Sequence, residues 1–275
     1  LMAAGIALAL ERKHLFGIGL IALAVAIKAT AGVALPFIVW IWMIHEREDA
    51  AAAGREPASP IRSFVKTAGA GFAVFVAVLG STSLIAGVGL GWTTALSGSA
   101  KIINWLSLPT IVAHIGTMAT SWFAGDHFND ILEVSRTISA VVLIAIIAVV
   151  WWRYRKTERD AVMGIVIVMV AIVVLSPAAL PWYYSWPLAV AAGFAMSPTT
   201  LAVLTGLSTW LMLVFQPDGS IGLYTFPHVA LAIVAAVIAA MSLQTEDPLR
   251  LRGRKHEKPI EMTSAASAPS TSGSA

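Results

Sequence analysis

Apolar residues in this 275-residue chain fall in long runs nearly free of charge, separated by short polar stretches. Residues 136–152 (RTISAVVLIAIIAVVWW), 161–180, 200–215 and 228–243 are the clearest. A bilayer core about 30 Å thick takes roughly 20 residues of helix. Inside it each segment must satisfy its own backbone polar groups, which a helix does. The runs do not alternate as membrane β-strands would. The pattern therefore predicts an all-α, polytopic helical membrane protein of about eight helices.

Residues 1–10 (LMAAGIALAL) read as the last half of a spanning helix that stops at Glu11-Arg12-Lys13-His14. No charged signal-peptide region precedes this run, so an earlier part of the protein is expected. Residues 15–44 are too long for one span and carry a single charge, Lys28, in a soft centre, KATAG. Two short helices meeting near Lys28–Gly32 are predicted, with Pro36 in the second. Residues 45–64 are polar and make a loop, and 65–88 form the next span. The segment 89–135 is the longest between spans; its stretch 108–123 (LPTIVAHIGTMATSWF) reads as an amphipathic interface helix or a re-entrant segment. Spans are expected at 136–152, 161–178, 200–215 and 229–243, with a shorter helix at 187–196. The loops 177–187 and 216–228 lie between them. The bundle thus occupies 1–243. The Ser/Ala/Pro-rich tail 244–275 has the composition of disorder.

Basic residues sit at the ends of these runs, in segments 11–14, 45–66, 153–159 and 250–258. The predicted spans put an even number of crossings between each consecutive pair. The positive-inside rule then brings all four to the cytoplasmic side of the plasma membrane, tail included. The aromatic-rich loops around Lys28, 89–135, 177–187 and 216–228 face outward. Charged residues make up 12% of the chain, about half the share of a soluble domain. No separate basic domain exists for nucleic acid. The absence of cysteine excludes thiolate chemistry.

The candidate chemistry is sparse. Lys28 is a lone cation between apolar helices, and an ionisable residue there is a functional candidate by default. It suits a lipid phosphate; snorkelling to ordinary headgroups is the alternative. Trp182, Tyr183, Tyr184 and Trp186 fall within five residues, bracketed by Pro177, Pro181 and Pro187. Such rings suit the C–H faces of a sugar and equally suit an interfacial belt. Asp126 and His127 form a possible acid–base pair, or a solvated loop. Asp218 and His228 flank the last outer loop, where Pro217-Asp218-Gly219 signals a turn. Metal-cluster spacings, phosphate-binding loops and dinucleotide fingerprints are absent, and no metal site is predicted.

Four stretches in order carry a resemblance: LMAAGIALALERKHLFGIGLIALAVAIKATAGVALPF, INWLSLPTIVAH, LSPAALPWYYSWPLAVAAGFAMSP and FQPDGSIGLYTFPH. Together they resemble the C-terminal part of the polyprenol-phosphate-mannose-dependent α-1,6-mannosyltransferases of actinobacterial lipomannan synthesis (the MptB type). These belong to the GT-C superfamily of membrane glycosyltransferases. The resemblance implies a GT-C-like bundle that moves mannose, on the outer face, from polyprenyl-phosphate-mannose to a mannan or lipomannan acceptor. The implied transfer is inverting and needs a carboxylate base, with no cofactor beyond the lipid-linked donor. In that family the acid lies in the first outer loop, before the segment matching Leu1. The base is therefore expected upstream of Leu1, in a missing N-terminal half, and the chain alone is expected to be inactive. Within it, the resemblance assigns Lys28 to the donor phosphate and the Trp182–Tyr184 segment, with Trp186, to the substrate cavity. A GT-C enzyme of another sugar specificity, a transporter or flippase, and a non-catalytic membrane subunit are the alternative readings.

Overall fold

A computed structural model describes residues 1–89, 102–104, 107–125, 127–215 and 225–244. Ten α-helices and two short 3-10 helices account for nearly all of the described residues. The helices are α1 (Met2–Leu10), α2 (His14–Ile27), α3 (Leu35–Ala52), α4 (Pro60–Ile85) and α5 (Leu108–Ala124). They continue with α6 (Phe128–Arg153), α7 (Glu158–Leu175), α8 (Ser185–Ala191), α9 (Pro198–Val214) and α10 (Phe226–Ser242). A bundle of about eight such helices was expected; the described residues form ten, counting the short α1 and α8 and the interface-type segment α5.

The ends follow local chemistry. Thr157 accepts a hydrogen bond from the Asp160 amide at 3.0 Å, and Glu158 and Asp160 occupy the first turn of α7, where the helix dipole favours acids. Ser197 caps α9 through the Thr200 amide at 3.1 Å. Proline stands in the first turn of α3, α4, α5, α9 and α10, where its missing N–H costs nothing. Lys28 is extended, with φ −151° and ψ 116°, and stops α2 before the 3-10 turn Ala29–Ala34. Two short helices meeting at Lys28 are thus what residues 15–44 form.

Among the described residues three segments are long and apolar enough to cross a bilayer: Ala29–Ala52, Pro60–Ile85 and Phe128–Arg153. α2, α9 and α10 are shorter apolar helices. The core joins α1, α2, α3, α6, α7 and α8 around Ile18, Phe37, Ile41, Ile165 and Val168. The other helices turn large apolar side chains outward, such as Phe72, Leu84 and Leu231. Hydrocarbon, not water, is the natural neighbour of such faces.

α2 and α3 return to the same end of the bundle. Arg12 donates to Glu48 at 2.6 Å and to Asp49 at 2.5 Å, and Lys66 donates to Glu46 at 2.5 Å. His45 meets Glu158 at the start of α7. Three of the four basic segments, 11–14, 45–66 and 153–159, therefore gather at one end; 250–258 lies outside the described residues.

Three boundaries differ from the hydropathy reading. The loop expected at 45–64 shrinks to 53–59, because α3 runs on to Ala52 and α4 begins at Pro60; polar side chains at helix ends extend beyond the apolar stretch without breaking the helix. The helix expected at 187–196 runs over Ser185–Ala191 and is preceded by a 3-10 turn, Pro181–Tyr184. The aromatic segment expected as open loop is thus largely helical. Pro187 falls in the first turn of α8, where a proline breaks no hydrogen bond. α6 begins at Phe128 rather than near 136. Its first turns pack on α5, where the buried Ser135 donates to the Pro109 carbonyl at 2.6 Å, while Asn129, Asp130 and Glu133 stay exposed.

Candidate functional site

Opposite the basic end, Lys28 projects from the end of α2 toward the 3-10 turn after α7. Its Nζ lies 3.7 Å from the centroid of the Tyr183 ring and 4.6 Å from that of Trp186. Those two rings stack on each other, 4.4 Å apart and inclined by 25°. Trp182 stands edge-on to Tyr183, with centroids 6.1 Å apart, and edge-on to Phe215 at the end of α9, 6.3 Å away. The ring faces carry negative potential, so two of them hold an ammonium by cation–π attraction of about 0.5–2 kcal/mol. Lys28 makes no ion pair among the described residues. The ammonium is therefore fixed in place while its charge stays uncompensated by any described carboxylate.

Local sequence explains the geometry. α7 stops at Ser176, which is extended ahead of Pro177; Pro181 then opens a 3-10 turn, which places residues three apart nearly in line. That spacing puts Tyr183 and Trp186 on one side, facing Lys28. Trp182 points elsewhere and remains half exposed, at 49%. Burial raises the Tyr184 phenol above its ordinary 10.0, so it stays protonated and neutral. The cluster combines a held cation and an accessible indole; Tyr184 is its chain neighbour but takes no part in the ring contacts that join Lys28, Tyr183, Trp186 and Trp182.

Of the residues singled out from sequence, Lys28, Tyr183 and Trp186 are in direct contact, and Trp182 touches the cluster's edge. His127 sits apart, exposed at the start of α6, with its Nδ1 3.2 Å from Asp130. Asp126 and Asp218 lie outside the described residues. His228 bonds through Nε2 to the Leu213 carbonyl at 2.7 Å, which ties the start of α10 to the end of α9. Phe215 was not singled out; nothing in its local sequence marks it as the wall behind Trp182.

A second polar constellation lies at the basic end. His14 Nε2 and His45 Nδ1 share a hydrogen bond of 2.7 Å, and His45 Nε2 meets Glu158 Oε1. His14 also stacks on Trp42, with ring centroids 5.0 Å apart. His45 is 1% exposed, and both of its nitrogens are used. The chain of three joins α2, α3 and α7. One ligand atom each from His45, Glu48 and Glu158 falls within 4.8 Å of the others, so this set has a geometry that could hold a divalent ion. Sequence spacing pointed to no metal site because Glu158 is remote in the chain. Glu48 is held by Arg12 and Glu158 by His45, and these bonds account for the cluster without an ion.

Comparison with known proteins identifies the family. The family model described as MptB C-terminal domain matches residues 109–245. The model described as alpha-(1->6)-mannopyranosyltransferase, N-terminal domain, matches residues 1–44. Alpha-(1->6)-mannopyranosyltransferase A of Mycobacterium tuberculosis is 46% identical over 240 residues, which cover 87% of this chain and 45% of that protein. Alpha-(1->6)-mannopyranosyltransferase A of Corynebacterium glutamicum is 34% identical over 245 residues, covering 87% of this chain and 49% of that protein. Alpha-(1->6)-mannopyranosyltransferase B of the same organism is 31% identical over 114 residues, 41% of this chain and 19% of that protein. The chain spans about half the length of the first two relatives. No solved structure matches. The resemblance drawn from the four sequence stretches thus holds at both ends of the chain, with the higher identities falling on proteins of the A name. The chain belongs to the alpha-(1->6)-mannopyranosyltransferase family.

Proposed function

We propose that this chain is the lipid-donor side of a membrane mannosyltransferase, and that the Lys28 cluster receives a polyprenyl-phosphate-linked mannose. The observation that carries this reading is the ammonium of Lys28 held against Tyr183 and Trp186 beside a half-exposed indole. A phosphate meets the ammonium as a charge-assisted partner. The hexose next to it stacks its C–H face on Trp182, and the prenyl chain stays in the bilayer. The acceptor is a mannan or lipomannan end, and transfer forms an α-1,6 bond with inversion. The departing lipid phosphate gains negative charge as the glycosidic bond breaks, and Lys28 offsets it. The carboxylate base that takes the acceptor proton is assigned, by the family pattern, to a position before the segment matching Leu1. In this orientation the Lys28 end faces outward and the basic end the cytoplasm, following the positive-inside rule.

The test uses the protein at the full length of its relatives, in membranes supplied with polyprenyl-phosphate-mannose and a mannoside acceptor. A hydrogen bond to a charged group contributes about 1.5–3 kcal/mol. Lys28→Ala is therefore expected to lower kcat/KM for the donor about 10- to 150-fold. Tyr183→Phe keeps the ring face and is expected to stay near wild type, whereas Tyr183→Ala loses several-fold. Wild-type donor kinetics for Lys28→Ala would overturn the reading.

A further inference from the structure

A groove of about 610 Å³ opens at the basic end, between α3, α4 and the end of α6. Trp40, Phe64 and Trp151 form its floor, and Arg47, Arg155 and Lys156 its rim. The floor is rigid. Trp40 donates from Nε1 to the Trp151 carbonyl, and Trp151 from Nε1 to the Pro36 carbonyl, each at 3.1 Å. The Trp40 and Trp151 rings lie 4.9 Å apart. The rim is equally ordered. The Arg155 guanidinium lies over the Trp152 ring, with Cζ 3.4 Å from its centroid. Stacking uses the face of a guanidinium and leaves its in-plane N–H donors for an anion.

Charge singles this groove out. No Asp or Glu is among its lining residues. Arg47, Arg155 and Lys156 make no ion pair among the described residues. The neighbouring cleft at the same end, about 520 Å³, contains Glu46, Asp49 and Glu56 beside its cations. Arg47 lines both, but in that cleft Glu46 and Asp49 are already paired with Lys66 and Arg12. In the first groove Arg155 and Lys156, with the shared Arg47, border an aromatic floor with no acid among the lining residues.

Position fixes the kind of anion. The groove opens along α4 and α6, where Ile61 and Val65 of α4 are 78% and 63% exposed and Trp152 of α6 is 58% exposed, faces that meet hydrocarbon in a bilayer. An occupant must therefore be apolar where it lies on Trp40, Phe64 and Trp151, and anionic where it meets the rim. We propose that this groove is a binding site for an anionic glycerophospholipid of the adjoining leaflet. Its phosphate sits among Arg47, Arg155 and Lys156, and its acyl chains run over the tryptophan floor into the bilayer. Basic pockets between spanning helices have this chemistry, and tryptophans favour that depth. The site lies at the end opposite Lys28 and is independent of the mannosyl-transfer reading.

The purified chain, in one detergent, is titrated with phosphatidylglycerol or phosphatidylcholine. Retained lipid is counted by native mass spectrometry, and the thermal midpoint is followed by tryptophan fluorescence. Phosphatidylglycerol is expected to bind saturably, with about one retained per chain, and to raise the midpoint; phosphatidylcholine binds at least tenfold more weakly. Each cation near a membrane surface contributes about 1 kcal/mol, or about fivefold in affinity. Lys156→Gln and Arg155→Gln are each expected to weaken phosphatidylglycerol by about that factor, and the double variant by about 25-fold. Lys156 is exposed and its replacement leaves the fold intact, so the test survives if the Arg155 variant fails to fold. Lys13→Gln, at the same end but outside the groove, leaves affinity unchanged. Equal affinity for the two lipids would overturn the proposal. So would a loss at Lys13→Gln as large as at Lys156→Gln, which marks general surface attraction, or full displacement of the lipid by millimolar inorganic phosphate.

Discussion

Three single glycine-to-alanine changes separate close packing from helix propensity in this bundle. A Cβ added at Gly17 would lie 2.5 Å from the Gly5 carbonyl oxygen, 3.1 Å from the Ala9 amide nitrogen and 3.2 Å from the Ala9 Cβ. Every neighbour is backbone or a Cβ, so none can rotate away. To restore ordinary contact α1 and α2 must part by about 0.9 Å. Small residues permit such close crossings in membrane helices, and overfilling one costs about 1–3 kcal/mol. At Gly71 the added Cβ would meet only Ile18 Cδ1, at 3.0 Å. That atom is the tip of a flexible side chain, so the cost should stay within about 0.5 kcal/mol. At Gly69 nothing lies within 4 Å, and alanine gains up to about 1 kcal/mol of helix propensity. The expected order of thermal midpoints is Gly69→Ala above wild type, Gly71→Ala close to it and Gly17→Ala clearly below. The assay is thermal unfolding in one detergent, with each variant first shown to be monodisperse. A Gly17→Ala midpoint equal to that of Gly69→Ala would refute the α1–α2 contact. Because α2 ends at Lys28, the same strain should also lower donor affinity in the complete enzyme.

Further predictions concern the two polar clusters. His45→Phe removes both hydrogen bonds of a buried ring and should destabilise the chain by about 1–3 kcal/mol. Glu158→Gln keeps an acceptor oxygen and should lose less; equal midpoints for wild type and His45→Phe would show that the three-residue chain contributes nothing. The Tyr184 phenol has a folded pKa above its ordinary 10.0. Between those two values the folded state binds more protons than the unfolded one. Stability is therefore intact below pH 10 and falls as pH rises beyond it. Alkaline unfolding curves should show this slope in wild type and a shallower one in Tyr184→Phe.

Hydropathy by itself determined that this is a helical membrane protein, because burying apolar side chains in lipid requires only that they be consecutive. Proline, serine or threonine marks the helix starts at Ser59-Pro60, Thr157 and Ser197-Pro198, but hydropathy placed the first two of these spans later, at 65 and 161, because their polar first turns carry no apolar signal. Charge counting put Lys28 and the Trp182–Trp186 segment at one end, opposite the basic segments. That sharing of an end was enough to name them together but not to say that they touch. The contact of Lys28 with Tyr183 and Trp186 depends on α3 and α7 packing side by side and on a 3-10 turn where open loop was expected. The His14–His45–Glu158 chain and the lipid-sized groove are further from sequence still. Each draws on residues more than a hundred positions apart, such as His45 with Glu158 and Trp40 with Trp151. Hydrophobic periodicity marks which residues face inward; which inward faces meet is decided only by how the helices pack, and there the tertiary structure had the deciding part.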